Sequence, residues 1–296
     1  MERVLGLVQI EEFDALEMEA APISCSLPQT DPGKDFGSVC DAIIISDIHL
    51  GSENCQARSL CSFLRSIARG ELLTSKLILN GDVFDSIDFR RLKKTHWKVL
   101  TLLRKLSNKI EIIWICGNHD GSADVVSPLL GVEVADEYIL ESGSKKILIL
   151  HGHRFDEFLD SHRILTWIGD YAYLLMQKLD RTHKFAKWAK RSSKIFLRCS
   201  KTIEEKSVRY ARGKRCSAVC CGHTHHVGSE TTQDVHYFNS GCWTELPSTY
   251  LTIHDGQIAI HPFDHELVRD DEDLELEPSC PNERDAQEGA LVYAAP

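Results

Sequence analysis

The stretch "CDAIIISDIHLG" (residues 40–51) carries a short apolar run straight into Asp47 and His49, two side chains that can hold a metal ion. Such a run of alanine and isoleucine reads as a strand buried on both faces. The pattern recurs three times: "KLILN" before Asp82, "IEIIWIC" before Gly117 and "KKILIL" before His151. The runs end at Asp47, Asp82, Asn118 and His151, at intervals of 35, 36 and 33 residues. Each interval suits a strand, a crossover and the next strand, so the spacing predicts an α/β sheet. Between the first two runs, "CQARSLCSFLRSIARG" sets Leu60, Phe63, Leu64 and Ile67 at helical spacing and stops on Gly70. "RRLKKTHWKVLTLLRKLSN" reads as the next helix. Beyond residue 234, "VHYFNSG", "STYLTIH" and "QIAIHPF" are strand-like, with Asp255-Gly256 marking a hairpin.

At 296 residues, 43 % apolar and 26 % charged, the composition is that of a globular domain. No apolar run reaches the roughly 18–20 residues that span a bilayer, and the acidic start "MERVLGLVQIEEFDALEMEAAPIS" has no secretory pattern. Eleven cysteines, an odd number without any CxxC, point to a reducing cytoplasm. The net charge of −10 is uneven: residues 154–215 hold 16 Lys/Arg against 7 Asp/Glu, or +9, leaving −19 elsewhere. A basic module on an acidic body is one reading, a solvated helical face the other. Residues 1–39 read as an acidic extension, 40–263 as the folded domain and 264–296 as an acidic tail of disordered composition. His223 follows His151 by 72 residues, twice the earlier spacing, which marks 155–213 as a helical insertion.

The loops after the apolar runs present "DIH" (Asp47, His49), "GDVFD" (Asp82), "GNHD" (Asn118, His119), "HGH" (His151, His153) and "GHTH" (His223, His225). In open α/β sheets, binding residues gather on loops beyond the carboxyl ends of the strands. Each residue alone would read as a solvated loop position; five motifs in this order point to one metal site. Cys220 and Cys221 stand just before the last motif in "CCGHTHH" and read as the buried end of a strand.

Over residues 41–245 this set resembles the calcineurin-like metallophosphoesterases. The resemblance implies an α/β fold of four layers, a two-sheet β-sandwich flanked by helices, with two metal ions at the strand ends. It implies that Asp47, His49 and His225 hold one ion, that Asn118, His151 and His223 hold the other, and that Asp82 bridges them. Carboxylate, amide and imidazole donors together suit manganese first, with iron or zinc as alternatives. Two such ions clamp a phosphoryl group, and a hydroxide held by them attacks phosphorus. His119 is then the catalytic acid beside the bridging Asp82, with Asp47 or Asp120 orienting its ring.

The insertion mixes aromatic residues with clustered Lys and Arg, which suits an amphiphilic anionic ligand or contact with a membrane surface. A helical cap packed on the body explains the same pattern. "SDIHLG", "GHTH" and "FNSGCW" look like the UDP-2,3-diacylglucosamine pyrophosphohydrolases, so the resemblance implies a lipid-nucleotide substrate. That branch shows "GNRD" and "HGD" where this chain has "GNHD" and "HGHRFD". The rivals are a phosphodiesterase for a cyclic nucleotide or a nucleic acid, and a non-catalytic metal-binding scaffold. The acidic body opposes extended nucleic acid, and the presence of His119 opposes the scaffold.

Overall fold

The computed structural model describes residues 39–121, 123–156, 194–232 and 234–263. The acidic extension other than Val39, the acidic tail and residues 157–193 of the insertion lie outside the described residues.

The chain first lays down β1 (Ala42–Ile45), α1 (Ala57–Arg69), β2 (Lys76–Asn80), α2 (Lys94–Leu106), β3 (Glu111–Ile115), α3 (Ala123–Leu130) and β4 (Glu133–Ala135). These β–α repeats put β1 to β4 in parallel, as a crossover connection between neighbouring strands does. The last two strands, β10 (Ser248–His254) and β11 (Gln257–Phe263), add antiparallel to β1, giving the order β11-β10-β1-β2-β3-β4. His254 faces Gln257 across a two-residue turn, with Asp255 and Gly256 both at positive φ (45° and 70°), the geometry a tight hairpin demands.

A second sheet, ordered β5-β6-β7-β9-β8, comprises β5 (Glu137–Ser142), β6 (Lys145–Leu150), β7 (Ala218–Cys221), β8 (Gly228–Thr232) and β9 (Val235–Asn239). Between β6 and β7 comes α4 (Lys194–Gly213). The spacing of the apolar runs suggested one sheet; the fourth run, "KKILIL", instead pairs within the second. Periodicity cannot tell the two arrangements apart, because an inner strand is apolar on both faces whether a helix or another sheet covers it.

Strand alternation sorts the side chains into layers. Ile43, Ile45, Leu77, Leu79, Ile112 and Trp114 pack with α1, α2 and α3. Their neighbours Ile44, Ile78 and Ile113 meet Ile147, Ile149 and Cys220 of the second sheet. Leu148, Leu150, Val219 and Cys221 turn outward to Val208 and Ala211 of α4. The result is a helix–sheet–sheet–helix sandwich, and each fully buried Ile or Leu contributes about 1.5–3 kcal/mol. Cys220 and Cys221 close the strand before "GHTH", one in the inter-sheet core and one beneath α4.

Asn80, at the carboxyl end of β2, donates through Nδ2 to the carbonyls of Leu150 (3.2 Å) and Cys220 (3.4 Å). This side chain brings the ends of β2, β6 and β7 together across the sandwich. The five motif-bearing loops therefore open on one shared rim.

Candidate metal centre

Among the described residues, five candidate ligands have left-handed backbone: Asp47 (φ 53°), His49 (52°), Asp82 (52°), His223 (67°) and His225 (56°). Aspartate and histidine are among the residue types best tolerated there. The turns drive their side chains inward from the strand ends. Asp47 is fully buried and its carboxylate accepts the backbone N–H of His223 at 3.0 Å. Its Oδ1 stands 3.2 Å from Nε2 of His225, which in turn lies 3.2 Å from Nε2 of His49. Asp82 uses Oδ1 to accept the N–H of His119 at 2.9 Å, and presents Oδ2 to Nε2 of His151 (3.3 Å) and of His49 (3.7 Å).

Three overlapping groups of donors result. Asp47, His49 and His225 form one; Asp82, His151 and His223 form a second; His49, Asp82 and His119 form a third that shares Asp82 with the second. His223 and His225, two residues apart, thus fall in different groups. Asn118 is exposed and precedes His119, whose N–H is bonded to Asp82, on the same turn. Glycine is required beside these carboxylates: a Cβ on Gly117 would collide with Asp82, and one on Gly222 with Asp47.

The electrostatics without an ion are those of a site built for cations. Burial opposes ionisation of Asp47, yet His225 and His151 hold its carboxyl down at about 2. Asp82 is likewise buried, and His151 and His49 keep it far below the usual carboxylate range. Burial disfavours charge on His151 and His225, but Asp82 and Asp47 outweigh it and lift them to about 9 and about 10. Nε2 of His151 is buried without a hydrogen bond. A buried imidazole nitrogen facing a carboxylate at 3.3 Å is a donor pair that fits a cation. Two carboxylates, four imidazoles and a neighbouring amide fit divalent Mn, Fe or Zn better than an all-oxygen ion such as Ca²⁺.

Each imidazole is also held from behind, through its other nitrogen. His49 Nδ1 lies 3.5 Å from Oδ1 of Asp85, and His151 Nδ1 bonds the carbonyl of Asn80 at 2.8 Å. His223 Nε2 bonds Oδ2 of Asp156 at 3.0 Å, and His225 Nδ1 lies 3.4 Å from the Thr244 hydroxyl. Such partners select the tautomer and orient the ring. From "GDVFD" the sequence reading takes Asp82 alone; the second aspartate, Asp85, is what braces His49. Arg91 holds that carboxylate in turn, with Nη1 2.5 Å from its Oδ2.

The partner expected for His119 changes. Asp120 is buried and accepts four hydrogen bonds, from the N–H groups of Val83, Phe84 and Gly117 and from Nε1 of Trp114. It ties the "GNHD" loop to the "GDVFD" loop and is not bonded to His119. Asp47 is engaged with His223 and His225. The carbonyl of Asp85 instead takes Nδ1 of His119 at 2.9 Å and leaves the exposed ring directed by backbone. His153 packs beside His151 and His223, with ring centroids 5.5 and 6.4 Å away, while His226 is exposed.

Several solved structures are similar to this one at a low level. A phosphoesterase-like protein from Streptococcus pneumoniae TIGR4 is 18 % identical, with 76 % of this chain and 90 % of that one covered and a TM-score of 0.36. The phosphoesterase Yfce from E. coli is 16 % identical, with 75 % and 99 % covered and a TM-score of 0.41. A single mutant of Vps29 from Entamoeba histolytica is 14 % identical, with 74 % and 96 % covered and a TM-score of 0.40. Likeness at this level carries no conclusion about activity, and no curated protein matches the chain. The family model is another matter: residues 42–227 match it over more than half the chain and include every loop of the rim. This chain belongs to the calcineurin-like phosphoesterase family, hydrolases of phosphoester bonds.

Proposed function

We propose that this chain hydrolyses a phosphodiester or pyrophosphate bond with two divalent ions, manganese being the first to test. The observation that carries the reading is the convergence of Asp47, His49, Asp82, His151, His223 and His225 into overlapping donor groups, with His119 on the same rim. Asp47, His49 and His225 would hold one ion and Asn118, His151 and His223 the other, with Asp82 between them. Bound there, the ions would supply Lewis-acid polarisation of the phosphoryl group and a nucleophile at neutral pH.

The chain's own residues do the rest. A carbonyl only accepts, so Nδ1 of His119 carries a hydrogen toward Asp85. When the ring is protonated, Nε2 holds the transferable proton. Giving it to the leaving oxygen leaves the neutral tautomer that the Asp85 carbonyl already stabilises. Asp82 fixes the backbone of His119, so acid and bridging carboxylate keep register.

The substrate class we favour is a lipid nucleotide of the UDP-2,3-diacylglucosamine type, with the basic insertion 155–213 in contact with it or with a membrane surface. Among the described residues no helix is long and apolar enough to cross a membrane. We place the protein in the cytoplasm; all nine described cysteines are free thiols, which suits a reducing compartment. The test is to strip the protein of metal, resupply Mn²⁺, and compare bis-p-nitrophenyl phosphate with UDP-diacylglucosamine. Strong preference for the lipid nucleotide supports the assignment. Cleavage of the simple diester alone keeps the chemistry and removes the substrate. Two bound ions with no hydrolysis of either would overturn the proposal in favour of a scaffold.

A further inference from the structure

We infer that Asp156 is a positioning residue for the second ion site, bracing His223 as Asp85 braces His49. The inference rests on the two-ion reading above. It starts from a difference among the four imidazoles. His151 and His225 are backed by neutral acceptors, the Asn80 carbonyl and the Thr244 hydroxyl. His49 and His223 are backed by carboxylates, Asp85 and Asp156. Each donor group therefore contains one carboxylate-backed ring and one backed by a neutral group.

The contact is sheltered: the side chains of His223 and Asp156 are 10 % and 13 % exposed, and Nε2 to Oδ2 is 3.0 Å. A carboxylate only accepts, so Nε2 carries the hydrogen and Nδ1 keeps its lone pair for an ion beside Asp82 and His151. An unbraced ring would divide between two tautomers and turn about its χ2. Backing by an anion also makes the ligating nitrogen more basic.

Asp156 is held in place by its own turn. Its N–H donates to the His153 carbonyl (3.0 Å) and that of Phe155 to Gly152 (3.0 Å), while the Phe155 ring packs edge-on against Tyr210 of α4, 5.7 Å away. Gly152 at φ 107° lets this turn begin directly after His151. The carboxylate is thus delivered by the segment "HGHRFD", with α4 fixing its approach. No feature of the sequence singles it out, because its partner lies 67 residues away.

The experiment is Mn²⁺ titration of metal-free wild type, Asp156→Ala and Asp156→Asn by calorimetry, with bound metal counted and melting followed by circular dichroism. The expected result for Asp156→Ala is a 10–100-fold loss of affinity at one of two sites, the usual effect of removing such a partner, with the other site unchanged. Asp156→Asn keeps an acceptor oxygen and should fall between Ala and wild type. The His223 tautomer, read from ¹⁵N shifts of the metal-free proteins, should be Nε2–H in wild type and mixed in Asp156→Ala. If both ions bind Asp156→Ala as tightly as wild type, or its tautomer is unchanged, the inference fails while the two-ion reading stands. If wild type binds no ion, the reading itself fails. Should Asp156→Ala not fold, Asp156→Asn with the tautomer measurement decides alone: an unaltered tautomer and unaltered affinity overturn it.

Discussion

Asp120→Asn separates two roles for the last residue of "GNHD". Asp120 accepts from Val83 N–H (2.9 Å) and Phe84 N–H (3.2 Å) on one oxygen, and from Gly117 N–H (2.9 Å) and Trp114 Nε1 (3.1 Å) on the other. An amide can accept on one side only; on the other its NH₂ meets two N–H groups. Two sheltered donors then lose their acceptor, at about 1–3 kcal/mol each. Burial, and after it the charge of Asp82, raises the Asp120 pKa, so removing its charge returns part of that loss. The net expectation is a destabilisation of about 2–4 kcal/mol. Urea unfolding of the metal-free protein, followed by tryptophan fluorescence, measures it without interference from bound ions. The same variant, loaded with Mn²⁺ at low temperature, should keep measurable turnover, because His119 takes its orientation from the Asp85 carbonyl. A variant as stable as wild type but a hundredfold or more slower would refute this reasoning and restore Asp120 as the partner of His119.

Other outcomes follow from the same geometry. His119→Ala should lower kcat by about 10²–10⁴ while two ions stay bound, and unchanged turnover would remove it from the chemistry. Gly117→Ala puts a methyl group into the Asp82 carboxylate; metal analysis should find fewer than two ions per chain, and full occupancy would show that the loop can yield. His96 is buried and its Nδ1 accepts the Lys93 N–H at the start of α2 (3.1 Å), with burial and then Lys93 holding its pKa below 6.5. The native state therefore prefers the neutral ring, and stability should fall as pH drops below the unfolded value of about 6.5. Metal-free His96→Gln should lose less than wild type between pH 7.5 and 5.5 in urea titrations; an equal loss would dismiss His96 as a source.

What the sequence revealed and what it hid have different physical origins. Asp47, Asp82 and His151 were legible because each ends an apolar run, and His49, His223 and His225 because they stand at fixed offsets in short motifs. Asp85, Asn80, Thr244 and Asp156 work through tertiary contact, by a carboxylate, a carbonyl or a hydroxyl behind a ring, and no local pattern reports that. Among the elements, β4 spans three residues and β8 reads "GSETT" with its middle exposed, so neither shows strand alternation. The helix α3 ("ADVVSPLL") is masked by Pro128 within it. The split into two sheets was not legible from periodicity at all.

The left-handed backbone of the site bears on why aspartate and histidine occupy those turns. A residue held in this region costs on the order of 1–3 kcal/mol, and five of the seven non-glycine examples among the described residues are candidate ligands. Glycine would relieve the strain and remove the donor, so the position requires a side chain that tolerates the turn and also binds. The strain is kept because the strands beneath over-determine the loops. Asp47 N–H is fixed by Gly81 O, His49 N–H by Asp82 O and Leu50 N–H by Val83 O, so the first two loops run as a paired ladder past the ends of β1 and β2. Gly222 N–H joins the ladder at the His151 carbonyl. Relaxing one turn would break hydrogen bonds to the next, and the site can only loosen as a unit. An ion that bound the assembled loops and not the unfolded chain would stabilise all of them together.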